Sequence, residues 1–247
     1  MPVLRVPARQ GRILIVTPVF IQSPALSGIE GLLHGFSRRS LSGGGVLDLG
    51  RDASPALWAA VSGELGAPDA GVALVSQVHG SSVIAADCPG LLGEADALLT
   101  RQRGLLLAIR TADCVPVLVV GHDGEVAAIH AGWRGIAAGV IPAALSAMAA
   151  PRLAVVGPCI STAAYQVGEE VIDGIVAAGV PASVVVDRSY GVRPHADLKA
   201  AARWQLAQSG VSVEVLPHCT FLDADLHSYR RDGVRSGRLA AVIGWCS

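Results

Sequence analysis

Two histidines and one cysteine stand at the ends of apolar runs. His79 closes VALVSQVHG, Cys114 precedes VPVLVV, and His130 ends EVAAIHA just ahead of AGWRG. Runs of four to eight apolar, β-branched residues bounded by Gly, Asp or Pro are the pattern of buried strands. Strand ends from distant parts of a chain can meet at one edge of a sheet. Two imidazoles and a thiolate are the donors of a zinc site that keeps its fourth position open. Taken singly, a strand-end histidine is more often a hydrogen-bonded core or surface residue, and a free cysteine more often a small hydrophobe. The company they keep points further. Asp113, next to Cys114, is costly to bury without a partner. After His130 comes Ala131-Gly132-Trp133-Arg134-Gly135, where glycines permit close backbone approach and an arginine can grip an anion. A metal site and a Cys–His nucleophilic pair both remain open on residue types alone.

The elements that must position these residues follow from the rest of the chain. With 51% apolar and 16% charged residues over 247 positions, the chain has material for a large core. One α+β domain spanning 1–247, with two sheets, accounts for the many short apolar runs, and no repeat or linker divides them. Residues 13–21 are expected to form an early strand rather than a signal sequence, because Pro18 interrupts the run. The glycines of LSGGGV are expected to form a flexible loop: neither GxGxxG between strand and helix nor GxxxxGK[ST] occurs. Ser54 and Pro55 open an expected helix ending near Gly63 or Gly66. VALVSQV and SSVIAAD resemble paired strands, and EADALLTRQRG a short turn or helix leading into the strand LLLAIR. VPVLVV and EVAAIHA, joined by GHDG, form an expected hairpin. From Gly135 to Ala150 a helix is expected, kinked or split at Pro142. LAVVGPCI is an expected strand, AAYQVGEEVIDGIVAAG a helix, SVVVD a strand and ADLKAAARWQLAQSG a helix, with strands VSVEVLP and RLAAVIGWC closing the chain.

Charge and cysteine usage narrow the function classes. A net charge of −1 and scattered basic residues give no footprint for nucleic acid or an acidic membrane. The Ala-rich stretch after Arg134 is too weakly apolar to span a bilayer. Five cysteines (88, 114, 159, 219 and 246) without a CxxC pair argue for a reducing compartment, so a cytoplasmic location is expected.

The segments QVHG, ADALLT, TADCVPVLV, HAGWRG, GPCIS, AYQVGEEV, CT and SYRRDG, in this order, resemble the motif series of the YfiH-like family. That family is also called the laccase-domain or polyphenol-oxidoreductase family (DUF152) and is associated with purine nucleoside phosphorylase activity. The resemblance covers nearly all of the chain from His34 onward. It implies a layered α/β/β/α fold with mixed sheets and a metal site on His79, Cys114 and His130. It also implies phosphorolysis of adenosine, inosine and S-methyl-5′-thioadenosine, with deamination of adenosine. Zinc is the expected ion and copper the alternative. The expected partners are a purine nucleoside and phosphate, with the oligomeric state left open. Within the matching motifs, Asp113 is the expected proton shuttle for deamination, beside Cys114 and His130 as catalytic groups. Arg39, Arg134 and Arg230 are expected to clamp phosphate, and Gln77 to read a base or sugar hydroxyl or else to satisfy a loop.

Two positions depart from the family pattern. The loop HGFSRRSLSGGGVLDLG is altered and carries Asp48 where the family has asparagine, and His227 in DLHSYRRDG replaces an aromatic. His195, His218 and His227 are assigned bland roles, as are Cys159 and Cys219. The competing readings are a Cys–His hydrolase, or an amidase editing peptidoglycan precursors, with Cys114 as nucleophile. A copper-dependent polyphenol oxidase and a non-catalytic zinc-stabilised protein complete the alternatives.

Overall fold

The computed structural model describes residues 18–247 and, ahead of them, the backbone of a short antiparallel pair, β1 (Arg5–Pro7) and β2 (Ile13–Ile15). Next come β3 (Phe20–Ile21), α1 (Pro24–Ser27), β4 (Leu32–Ser37), α2 (Pro55–Glu64), β5 (Gly71–Ser76), β6 (Val83–Ala85), β7 (Gly90–Glu94), β8 (Ala97–Thr100) and β9 (Leu105–Thr111). The second half holds β10 (Val115–Gly121), β11 (Val126–Ala131), α3 (Trp133–Ala137), α4 (Val140–Ala147), β12 (Pro151–Val156), α5 (Glu169–Ala177) and α6 (Ala182–Val185). It ends with β13 (Val186–Asp187), β14 (His195–Ala196), α7 (Leu198–Gln208), β15 (Ser212–Val215), α8 (Tyr229–Asp232) and β16 (Leu239–Trp245).

Two six-stranded mixed sheets form the frame, ordered β15-β12-β10-β11-β8-β6 and β3-β4-β16-β9-β5-β7. Period-two alternation explains how they stack. On β10, Val115, Val117 and Val119 face the helices α3, α4, α5 and α7, while Leu118 and Val120 face the other sheet. On β9, Leu105, Leu107 and Ile109 meet them from across the interface. Leu106 and Ala108 of β9 point outward to Trp58 and Val61 of α2. The result is the expected layered α/β/β/α arrangement, with the largest apolar strands buried on both faces.

Several local expectations hold for the reasons given. Ser54 caps α2 by accepting from the Leu57 N–H, and Pro55 occupies its first turn. The β10–β11 hairpin pairs Val115 with Ala131 and Pro116 with His130. Of the expected strand 13–21, Ile13–Ile15 and Phe20–Ile21 are strands, and residues 16–17 lie outside the described residues.

Four local expectations are corrected. VALVSQV and SSVIAAD do not pair: β5 joins β7 and β9, whereas β6 joins β8 in the other sheet. ADALLT is a strand, β8, held by β11 and β6. SVVVD begins as the helical turn α6 after Pro181, and only Val186–Asp187 is extended. The helix after Gly135 does split, but at Gly139 (φ +79°) and not at Pro142. Pro142 lies in the first turn of α4, where no intrahelical N–H bond is lost.

Close packing at Gly157 gives a direct check on the fold. A Cβ there would collide with the Phe36 ring, which is buried between the sheets. Gly157→Ala is expected to destabilise the protein by about 1–3 kcal/mol in a denaturant titration, as overpacked sites do. Among the described residues, no helix is long and apolar enough to cross a membrane.

Candidate active site

Two of the chain's crossings between the sheets are short and lie near one edge, beside a longer one, residues 77–82 from β5 to β6, that carries His79. Residues 95–96 link β7 to β8, and residues 112–114 link β9 to β10. Both short crossings, the end of β5 and the end of β11 meet at the candidate site. His79 follows β5 with a positive φ of 62°, and Asp113 turns the second crossing at φ 88°. Non-glycine residues adopt this left-handed region only where the surroundings hold them there. The hairpin register, continued by one residue, sets Cys114 opposite Gly132.

The three donor atoms of His79, Cys114 and His130 lie within 4.8 Å of one another, with Cys114 Sγ 3.9 Å from His79 Nε2. A tetrahedral ion with bonds of about 2.0–2.3 Å spaces such ligands roughly 3.3–3.6 Å apart. The donor set and its spacing therefore suit a zinc-like ion after a small contraction. His79 is exposed, Cys114 half-buried and His130 buried, so the group opens to one side only.

Asp96 organises this group, although sequence reasoning passed over it inside the quoted segment ADALLT. Its buried carboxylate accepts from His130 Nδ1–H at 2.7 Å. It also accepts from the backbone N–H groups of Val78, His79 and Gly80 at 3.2, 3.0 and 2.7 Å. One side chain thus orients His130, leaving Nε2 free to act, and holds the strained turn that presents His79. Carboxylates of this kind fix the tautomer and aim of a metal-binding histidine. Burial would raise the Asp96 carboxyl, but the His130 ring and the Gly80 and His79 amides together hold it below its ordinary value. Burial opposes charge on both Cys114 and His130, yet each stabilises the other as an ion. The Cys114 thiol falls to about 6 and the His130 imidazole rises to about 9.

Gly132 shows why the segment after His130 needs a glycine. A Cβ there would lie 2.9 Å from Cys114 Sγ and 3.0 Å from His79 Cδ2. Gly132→Ala is expected to weaken binding of a divalent ion added to the group by roughly 10–100-fold, the range seen when the support of a metal ligand is disturbed. Competition against a chromogenic chelator measures it, with circular dichroism expected to stay unchanged.

Around this group lies a cavity of about 760 Å³ whose wall carries Arg51, Arg110, Arg134, Arg230 and Arg238. Among the described residues, no carboxylate forms an ion pair with any of these five; the arginine ion pairs involve Arg38, Arg101, Arg188 and Arg231. Arg134 stacks on Trp133, its charge 4.4 Å from the ring centre, and Arg230 on Tyr165 at 5.0 Å. Stacking positions a guanidinium without neutralising it. The two arginines of SYRRDG divide their work. Arg230 faces the cavity, while Arg231 donates to the carbonyls of Thr220, Phe221, Asp223 and Leu226 and pins the loop.

The remaining expected residues fall in particular places. Asp113 accepts from Thr220 Oγ1 at 2.6 Å and from the Arg230 N–H at 2.7 Å, so both of its oxygens are engaged. Gln77 lines the cavity, but its amide exchanges two 2.7 Å hydrogen bonds with the Arg110 backbone. Arg39 does not line the cavity; its backbone N–H donates to Asp225. Asp48 does line it and accepts from the Arg238 N–H at 2.8 Å, an acceptor role open to aspartate and asparagine alike. His227 is buried and donates from Nε2 to the Leu47 carbonyl, anchoring the altered loop and lying apart from the His–Cys–His group. His195 donates to Thr162. Sequence reasoning missed Arg51, Arg110, Arg238 and Tyr165 as well as Asp96. Only Arg110 carried a signal, since its parity with Leu106 and Ala108 places it on the outer face of β9.

The chain is similar to known proteins over most of its length. Residues 56–246 match the family described as multi-copper polyphenol oxidoreductase laccase. A protein of Pseudomonas aeruginosa named purine nucleoside phosphorylase is 42% identical over 176 residues, covering 68% of this chain and 72% of its own. A Streptomyces coelicolor protein of the same name is 40% identical over 190 residues, covering 72% and 77%. The crystal structure of a Neisseria meningitidis protein of the DUF152 family superposes with a TM-score of 0.79 at 31% identity, over 93% of this chain and 100% of that one. A matching family over most of the chain, relatives of this similarity and a shared fold leave one assignment: the chain belongs to the laccase-domain, YfiH-like family.

Proposed function

We propose that the protein is a zinc-dependent purine nucleoside phosphorylase acting on adenosine, inosine and S-methyl-5′-thioadenosine, with adenosine deaminase activity. The observation that carries the reading is the His79–Cys114–His130 group beside arginines that have no carboxylate partner among the described residues. Relatives named purine nucleoside phosphorylase support it. Phosphorolysis forms a bond from a phosphate oxygen to the sugar C1′ while the bond from C1′ to the purine nitrogen breaks, and the departing base takes up a proton. The chain must therefore hold a polyanion and stabilise charge that develops on sugar and base. Arg134 and Arg230 are assigned to phosphate, their guanidinium planes fixed by Trp133 and Tyr165. Arg39 is left to the loop, from which it would have to swing to reach the anion. Burial and the charge of Cys114 push the Tyr165 hydroxyl up to about 12 against the pull of Arg230, so it remains a neutral donor.

His79, Cys114 and His130 would hold the ion, which supplies Lewis acidity when bound. For deamination, water replaces the 6-amino group of the purine, and ammonia leaves after gaining a proton. Asp113 would carry that proton on a lone pair that Thr220 and the Arg230 N–H leave open, and its accepted bonds also hold Arg230 against the cavity. Gln77 is assigned likewise to setting Arg110.

A second reading rests on Cys114 itself. A thiol held at about 6 within 3.9 Å of an imidazole is also the arrangement of a Cys–His hydrolase. Polyphenol oxidation is disfavoured by the donors: the described residues supply one His/Cys/carboxylate group where multicopper chemistry needs several. Three ligands opening on a cavity likewise favour catalysis over a purely structural ion.

Product analysis separates these. Zinc-loaded protein incubated with adenosine is expected to yield adenine only when phosphate is present, and a slower, phosphate-independent yield of inosine. Absence of both products from folded, metal-containing protein would overturn the reading. Iodoacetamide labelling of Cys114 that persists at saturating zinc would then move it to the hydrolase.

A further inference from the structure

The geometry points to a second binding site, for an amphipathic anion, in the apolar cavity between α2 and the outer face of β5 and β7. Its charged head would lie on Arg51 and Arg110, and its apolar body along Trp58, Leu74 and Leu91. The site shares Arg51 and Arg110 with the cavity around Cys114, whereas its apolar half, Trp58, Leu74 and Leu91, belongs to it alone.

The cavity measures about 620 Å³ and is separate from the one around Cys114, with Arg51 and Arg110 in the wall of both. Its existence follows from the layering. The outer face of the second sheet is covered by α2 and the 41–53 loop, whose apolar residues end at Trp58, Leu57 and Ala53. Beyond them, Leu74 is only partly covered and Leu91, on the edge strand β7, is 67% exposed. A volume of roughly 300–1,000 Å³ with mostly apolar walls and a few convergent polar groups is typical of small-molecule sites.

The polar end fixes the sign of the ligand. Arg110 continues the outward parity of Leu106 and Ala108, so β9 delivers its guanidinium to this face, where Nη2 spends one donor on the Val75 carbonyl at 2.9 Å. The other donors and those of Arg51 meet no carboxylate among the described residues. Burial and the nearby Arg51 and Arg238 disfavour the charge of Arg110, and an anion would relieve that strain. A neutral apolar molecule would cover the wall but leave two cations uncompensated. A small anion would pair the cations but leave Trp58, Leu74 and Leu91 unfilled. Only a molecule with both parts satisfies the site, and a carboxylate matches the guanidinium fork directly.

Calorimetric titration of the full chain with octanoate tests this, using 1-octanol as the headless control and acetate as the bodiless one. One saturable octanoate site per chain is expected, with octanol and acetate at least tenfold weaker. Leu91→Asp, at an exposed position that leaves folding intact, and Arg51→Gln are each expected to weaken octanoate at least tenfold. Octanol binding as tightly as octanoate would overturn the proposal, as would equal octanoate affinity in both variants or no saturable binding. Self-association in sedimentation that Leu91→Asp abolishes, without octanoate binding, would assign the face to a second copy of the chain and overturn it too.

Discussion

Replacing Asp96 by alanine is expected to destabilise the protein by about 3–5 kcal/mol and to abolish metal binding together with turnover. The size follows from what the carboxylate holds. Removing it strips partners from His130 Nδ1–H and from three backbone N–H groups in one step. A single buried donor left unpaired costs about 1–3 kcal/mol, and breaking a buried charged pair about 3–5 kcal/mol. Part of the loss is recovered because the freed 78–80 turn reaches solvent beside the exposed His79. Asp96→Asn separates structure from electrostatics. The amide oxygen can still accept from Val78 and Gly80, while its NH2 faces the His79 N–H and His130 Nδ1, so denaturant stability is expected to recover only in part. The amide has no negative charge to set against His130, so zinc affinity is expected to stay well below that of the natural protein. The pH dependence carries the same signature. Asp96 is held below its ordinary value of 3.8 in the folded state, so its contribution is fully present above that value and is lost as the pH falls through the lower folded value. The acid limb of the stability profile is therefore expected to be shallower in Asp96→Asn. An unchanged limb, or full zinc affinity in Asp96→Asn, would remove Asp96 from this role.

What could be read from the sequence, and what could not, divides on how far each signal is local. His79, Cys114 and His130 were legible because each ends an apolar run, and a strand end is visible in the residues that flank it. The β10–β11 hairpin was legible too, through GHDG and alternation on either side. Asp96 was not, because nothing near it distinguishes a carboxylate that holds a turn 16 to 18 residues away from one facing solvent. Its strand was missed for a related reason: ALLT is four residues long and flanked by polar ones, so only its neighbours β11 and β6 define it as extended. Pro142 was credited with a break that Gly139 makes, since proline is harmless in a first turn and a residue at φ +79° is not helical. The expected pairing of VALVSQV with SSVIAAD failed because proximity in sequence favours a hairpin, whereas both strands are claimed by parallel partners in different sheets. Arg51, Arg110 and Arg238 converge from three loops and strand ends, a convergence that no spacing rule encodes.

Cys114→Ala is expected to lower phosphorolysis by at least a thousandfold while leaving the fold in place. Loss of one preorganised electrostatic group costs about 10²–10³ in rate, and here the alanine also removes one of three ligands from the group. The stability change is expected to be small because Cys114 is half-buried at the cavity wall and takes no part in the apolar clusters. Its Sγ lies 3.9 Å from His79 Nε2 and faces the space above Gly132. His130 keeps its Asp96 partner on Nδ1 in the variant, and the side of the ring that loses the thiolate lies in the cavity wall. A midpoint of thermal unfolding within about 4 °C of the natural protein, in the presence of chelator, is the expected control. Cys114→Ser sharpens the result. A hydroxyl fills the same space but stays protonated where the thiol, at about 6, is ionised at neutral pH. Serine is therefore expected to fail almost as completely as alanine, which ties activity to the thiolate and not to occupancy of the position. Zinc content separates the two readings of that thiolate. Loss of bound zinc together with turnover assigns Cys114 to holding the ion, whereas full zinc content with no turnover assigns it to direct attack on the substrate. Full activity in Cys114→Ala would exclude both, and would detach the His–Cys–His group from the chemistry of the cavity.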